Sequence, residues 1–129
     1  MFQNCTHDIN MRLLDGTNRC GVCYYQGDAI VNIFLDDERQ TPPLFARTYT
    51  VPQTIAMLLM HKGNIGILSL DNDLGIPGIE NEGRKVVDWL EEQERGHGRN
   101  YWPQCVVVHS GNSVAMNYMK GVIERHYNP

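Results

Sequence analysis

IGILSLDNDLG, residues 65–75, is an apolar run that ends in two carboxylates one residue apart. A short apolar run bounded by a turn reads as a buried strand. Packing such a strand requires no charge, so Asp71 and Asp73 at its carboxyl end need another reason. The neighbouring segments supply one. AIVNIFL (29–35) is a second such run, and Asp36 and Asp37 follow it. QCVVVHS (104–110) is a third, ending in His109 and Ser110 with Asn112 close behind. ARTYTV (46–51), rich in Thr and Tyr, reads as a more polar strand.

Helical patterns separate these runs. PQTIAMLLMHKG (52–63) places Ile55, Leu58, Leu59 and Lys62 on one face, with Pro52 suited to its first turn and Gly63 to its end. EGRKVVDWLEEQ (82–93) aligns Val86, Trp89, Leu90 and Gln93. NSVAMNYMKGVIERHY (112–127) aligns Ala115, Met119, Val122 and His126. Alternating strands and helices with short connections predict an α/β fold, a three-layer parallel sheet of about four strands flanked by helices. The nearly unbroken apolar run at 29–35 fits a sheet covered on both faces. Such sheets bind ligands beyond the carboxyl ends of their strands. Asp36, Asp37, Asp71, Asp73, His109, Ser110 and Asn112 thus arrive from three segments at one edge.

Converging carboxylates repel one another, and a bound divalent cation or a shared proton relieves that repulsion. Oxygen donors of this kind favour Mg²⁺, Mn²⁺ or Ca²⁺. An EF-hand counted from Asp71 has its glutamate at Glu82, but Ile76 stands where glycine is required and Pro77 follows, so that motif is excluded. Taken singly, Asp36 and Asp71 are turn caps or solvated acids; taken together they mark a site. His109 reads either as a sheet-end residue with a satisfied hydrogen bond or as a metal ligand or general acid/base. Arg39 and Arg47 read as surface charges or as forked donors to a phosphate. Ser110 and Asn112 either orient a substrate or start the last helix, since Asn is a good N-cap.

The chain of 129 residues, 42% hydrophobic, is long enough for one compact domain with a small attachment. A net charge of −4 gives no footprint for bulk binding to DNA. No apolar run reaches the roughly 18 residues of a membrane helix, and MFQNCTHDIN has no signal-peptide core. The expectation is a cytoplasmic protein with reduced cysteines. Its small size suits a phage or mobile-element protein working in the host cytoplasm.

Residues 1–27 form a separate unit, ahead of the α/β domain at 28–129. Asp15-Gly16 between RLL and TNRC is a hairpin signal. Cys5-Thr-His7, twelve residues, then Cys20-Gly-Val-Cys23 gives the ligands of a closed tetrahedral zinc site, read as structural. The competing reading is a redox C-x-x-C with Cys5 and His7 incidental, which lacks the helix of a thioredoxin motif. Cys105, within a strand, reads as a buried small apolar group.

LDDER, SLDNDLG, EGRKVVDWLEEQ and VVHSGN, in that order over about residues 30–127, resemble the cyclic-phosphate-processing branch of the receiver domains. The resemblance implies a receiver-like sheet of order 2-1-3-4. Departures from a phosphorelay receiver are plain. The first helix is missing and no fifth strand is read. Lys62, Lys85 and Lys120 all fall on predicted helices, where a phosphorelay receiver needs a lysine at a strand end.

The resemblance further implies a metal-dependent phosphoesterase whose substrate is a 2′,3′-cyclic RNA end or a cyclic nucleotide. Asp36, Asp37 and Asp71 would hold Mg²⁺ or Mn²⁺, and Asp73 would be a further ligand or base. His109 would move a proton, Arg39 and Arg47 would neutralise phosphate charge, and Ser110 and Asn112 would contact the substrate. Two alternatives stand beside it. One is a non-enzymatic module that sequesters a phosphorylated ligand, or docks a protein through the zinc segment. The other is aspartyl-phosphate signalling, with Asp71 as acceptor and Ser110 in the hydroxyl role.

Overall fold

The computed structural model describes residues 11–12, 18–19, 30–97 and 100–128. Strands β1 (Met11–Arg12) and β2 (Asn18–Arg19) pair antiparallel, Met11 opposite Arg19, on either side of Asp15-Gly16. Cys5, His7, Cys20 and Cys23, and with them the expected zinc site, lie outside the described residues.

The sheet consists of β3 (Val31–Leu35), β4 (Ala46–Thr48), β5 (Ile65–Leu70) and β6 (Cys105–Val108). All pairings are parallel, in the order β4-β3-β5-β6, which is the expected 2-1-3-4. Three helices follow the last three strands: α1 (Val51–Met60), α2 (Arg84–His97) and α3 (Ser113–Tyr127). Thr50 caps α1 by accepting from the Gln53 amide at 3.3 Å, and Pro52 sits in its first turn. Gly63, at φ +84°, makes the turn from α1 into β5. Asn112 caps α3 through the Ala115 amide at 3.1 Å.

One core joins Ile33, Leu35, Leu68, Leu70 and Val106 of the sheet to Leu58 of α1, Val86, Val87 and Leu90 of α2, and Ala115, Met119 and Val122 of α3. Strand side chains alternate between faces, so all three helices cover the same face. This follows from the order of the strands. The connections from β4 to β5 and from β5 to β6 run the same way across the sheet, and right-handed crossovers then fall on one side. The β3–β4 connection runs the other way, but residues 36–45 contain no helix. No described element forms the second helical layer that a three-layer arrangement requires.

The opposite face is closed locally by side chains. The Phe34 ring is stacked under His109, with centroids 4.6 Å apart and planes 5° apart, and meets Phe45 edge-on and Arg47. Asn32 fills the irregularity in the β3–β5 ladder, its Oδ1 accepting from the Ile67 amide at 2.9 Å. Cys105 is exposed on this face of the edge strand, as is Val107, which corrects the expectation of a buried thiol. Leu59 is also half exposed, because the buried stripe of α1 runs through Val51, Thr54 and Leu58.

Candidate active site

Register alone brings the polar groups together. Leu35 pairs with Thr48 on one side and Leu70 on the other, and Leu70 pairs with Val108. The ladder then runs one residue further. The Asp36 amide donates to the Thr48 carbonyl at 3.2 Å, the Asp71 amide to Leu35 at 2.9 Å, and the His109 amide to Leu70 at 2.9 Å. Asp36, Asp71 and His109 are therefore neighbours in one row, each just past the end of its strand.

Asp36 is 1% exposed. Its Oδ1 accepts from the backbone amides of Glu38 at 2.7 Å and Arg39 at 2.8 Å, and its Oδ2 meets Nε2 of His109 at 2.9 Å. Burial pushes the Asp36 carboxyl up, but the Arg39 and Glu38 amides and the His109 ring outweigh it and hold the carboxyl below its usual range. Asp71 goes the other way. Burial raises it first and the Asp36 charge second, against one amide bond from Asn72. One carboxylate oxygen each from Asp36, Asp37 and Asp71 lies within 4.8 Å of the others.

These acids line an open cavity of about 350 Å³ with Glu38, Arg39, Asp73, Gly75 and Gly111. Asp73 is exposed, and its Oδ1 accepts from Asn72 at 3.1 Å and Asn112 at 3.4 Å. Arg39 donates through Nη1 to the His109 carbonyl, and its Nε stands 4.0 Å from Asp36. The other candidates stand behind the wall. Arg47 spends Nε on the Asp36 carbonyl at 2.8 Å and Nη1 on the Arg39 carbonyl and the Thr41 hydroxyl, while its guanidinium lies 4.6 Å over Tyr49. It fastens the 36–41 loop. Ser110 is buried, its Oγ accepting from the Asn112 amide at 3.0 Å. His109 has both ring nitrogens engaged, Nε2 by Asp36 and Nδ1 by the Ser69 hydroxyl at 2.7 Å.

Four residues that the sequence reading passed over shape this wall. Asn72 is fully buried; its Oδ1 accepts from the Arg84 amide at 3.1 Å, and its Nδ2 donates to Asp73 and to Glu82 at 3.1 Å. Gly83 donates to the Asn72 carbonyl at 2.8 Å and lies so close to β5 that a Cβ would fall 1.8 Å from the Asp71 carbonyl oxygen. Gly75, at φ +76°, leaves room for Asp37, whose Oδ2 would be 2.8 Å from a Cβ there. Ser69 holds the far side of His109. Only the Gly/Pro-rich run 75–83 carried a signal for any of them, since glycine marks close backbone approach.

The family model of the cyclic-phosphate processing receiver domain matches residues 31–125, from the first strand of the sheet into the last turns of α3. The chain belongs to this family. No match was found among curated proteins or among solved structures. Within this receiver domain the paired acids after β3, the acid after β5 and the His-Ser pair after β6 occupy one edge. No described helix is long and apolar enough to cross a membrane.

Proposed function

We propose that the domain is a metal-dependent phosphoesterase that opens a cyclic phosphate, either a 2′,3′-cyclic RNA end or a cyclic nucleotide. The observation that carries this is the mutual approach of Asp36, Asp37 and Asp71 within 4.8 Å, with Asp71 pushed up by burial and by the charge of Asp36. A divalent ion fits that donor set, because it removes the repulsion that raises Asp71 and takes hard oxygen ligands. When bound, Mg²⁺ or Mn²⁺ polarises phosphoryl oxygens and makes bound water a better nucleophile.

The chain's own groups complete the reading. Arg39, on the cavity wall, directs its remaining donors to the phosphate charge. Asp73 offers Oδ2, which has no partner among the described residues, to take the proton of an attacking water. Water adds to phosphorus, one ring P–O bond breaks, and the freed oxygen takes a proton from solvent through the open side of the cavity. His109 leaves the role of proton carrier, since its two nitrogens already serve Asp36 and Ser69.

That same saturation of His109 favours a second reading, a module that binds a cyclic phosphate without opening it. Both are separated by incubating the protein with 2′,3′-cyclic and 3′,5′-cyclic nucleotides and cyclic-phosphate RNA ends, with Mg²⁺ or Mn²⁺ and with chelator. Metal-dependent ring opening supports the enzyme. Tight retention of one ligand without product supports the module.

A further inference from the structure

Asp36 cannot keep its carboxylate plane fixed unaided. Its Oδ1 is pinned by two backbone amides of the next turn, at 2.7 and 2.8 Å. Rotation about its terminal bond is then limited by the packing around this buried side chain and by the group that holds Oδ2. That group is the imidazole of His109, at 2.9 Å. A neutral imidazole can present either a proton or a lone pair from Nε2; a carboxylate there takes the proton, and the partner of Nδ1 must then donate. The partner is the hydroxyl of Ser69 on β5, at 2.7 Å and only 6% exposed.

The ring is also supported on its flat side. It lies flat on Phe34 at 4.6 Å, and its own carbonyl accepts from Arg39. Ser69 and Phe34 are paired across β5 and β3, and both stand on the face opposite the helices, directly below His109. An ionised Asp36 accepts only, so Nε2 carries the proton and Nδ1 accepts from the Ser69 hydroxyl.

We infer that Ser69 is a positioning residue for the acid cluster: its hydroxyl supplies the donor that Nδ1 of His109 accepts while Nε2 donates to Asp36, and so it holds the ring that keeps Asp36 Oδ2 in place beside Asp37 and Asp71. Its consequence for metal affinity rests on the proposed function; the chain of three hydrogen-bonding groups does not. Partners of a ligating carboxylate typically change metal affinity or activity by about 10- to 100-fold when removed. Ser69 does not line the cavity.

The test compares Ser69→Thr with Ser69→Val in the full chain. The two side chains have the same shape and differ in the hydroxyl, so a packing effect moves both alike. Nitrogen NMR of the imidazole reads which ring atom of His109 bears the proton, and calorimetry reads Mn²⁺ affinity. The expected result is an Nε2–H ring in the wild type and in Ser69→Thr. In Ser69→Val the Nδ1 resonance shifts with the loss of its hydrogen-bond donor, and Mn²⁺ binds about 10- to 100-fold more weakly. An Nδ1–H ring in the wild type, or identical rings and affinities in both variants, overturns the inference. If the wild type binds no Mn²⁺, the metal reading falls, and the NMR comparison alone still decides the role of Ser69.

Discussion

The Asp36 and Asp71 carboxyls, neighbours across the ends of β3 and β5, are shifted in opposite directions: Asp36 below its usual range and Asp71 above it. Asp36 is stabilised as an anion by two amides and an imidazole, and Asp71 must ionise in the field of that anion. The fold prepares a site that is more negative than its own surroundings can compensate.

Stability should therefore respond to pH in two opposite ways. Folded Asp71 binds its proton more tightly than the unfolded chain, so this group costs stability as pH rises from 3.8 through its raised folded value. Asp36 contributes stability above 3.8 that is lost as pH falls through its lowered folded value. In chelator at pH 7, Asp71→Asn should raise the melting temperature, because it removes the ionisation that the fold resists. The gain should vanish below the usual carboxylate value. With Mn²⁺ at a hundred times its dissociation constant, the wild type should gain about 2.7 kcal/mol and Asp71→Asn should not. Thermal melts across pH, with and without Mn²⁺, check both parts.

Gly83 and Gly121 make a contrasting pair. A Cβ at Gly83 would collide with the Asp71 backbone, which has no flexible end to move aside, whereas a Cβ at Gly121 in α3 meets nothing within 4 Å. Gly83→Ala should destabilise by about 2–3 kcal/mol or more and disturb the Asp71 position. Gly121→Ala should stabilise by about 0.5–1 kcal/mol by raising helix propensity. Denaturant titration of both variants checks the signs, and an undisturbed Gly83→Ala protein would contradict the packing described.

Arg39 and Arg47 should separate by the kind of damage their loss causes. Arg39 lines the cavity and is half exposed, so Arg39→Ala should raise KM for a cyclic phosphate about tenfold with little loss of stability. Arg47 binds two carbonyls and a hydroxyl of the 36–41 loop, so Arg47→Ala should cost about 1–3 kcal/mol of stability, with activity changing mainly through the loosened loop. Steady-state kinetics beside thermal melts distinguishes the two.

The sequence pattern reached the carboxyl edge because that edge is topological. Once IGILSL lies parallel between AIVNIFL and QCVVV, Asp36, Asp71 and His109 fall in one row whatever their rotamers. The three helices were legible from their apolar periodicity, and the strand order from the family resemblance. The single helical layer was not. Phe34 and Asn32 are as buried as Ile33 and Leu35, so β3 reads as covered on both faces. Yet Phe34 is covered by His109, Phe45 and Arg47, residues from 11 to 75 positions away. The partners of His109 and Arg47, which are Asp36 and Ser69 for one and the 36–41 loop for the other, were not legible because only the tertiary fold brings them near. Asn72, between two acids that drew attention to the cavity, instead turns into the protein to hold Glu82 and the Arg84 amide.

The most direct measurement is ³¹P NMR of cyclic-phosphate opening by the wild type and by Asp71→Asn, at equal folded concentration, in Mg²⁺ or Mn²⁺ and in chelator. The predicted result is ring opening by the wild type only with metal. It should fall at least about a hundredfold in Asp71→Asn, equivalent to about 2.7 kcal/mol of barrier. Opening that survives chelator, or an Asp71→Asn protein with full activity, would contradict the assignment of the acid cluster as the metal-dependent centre.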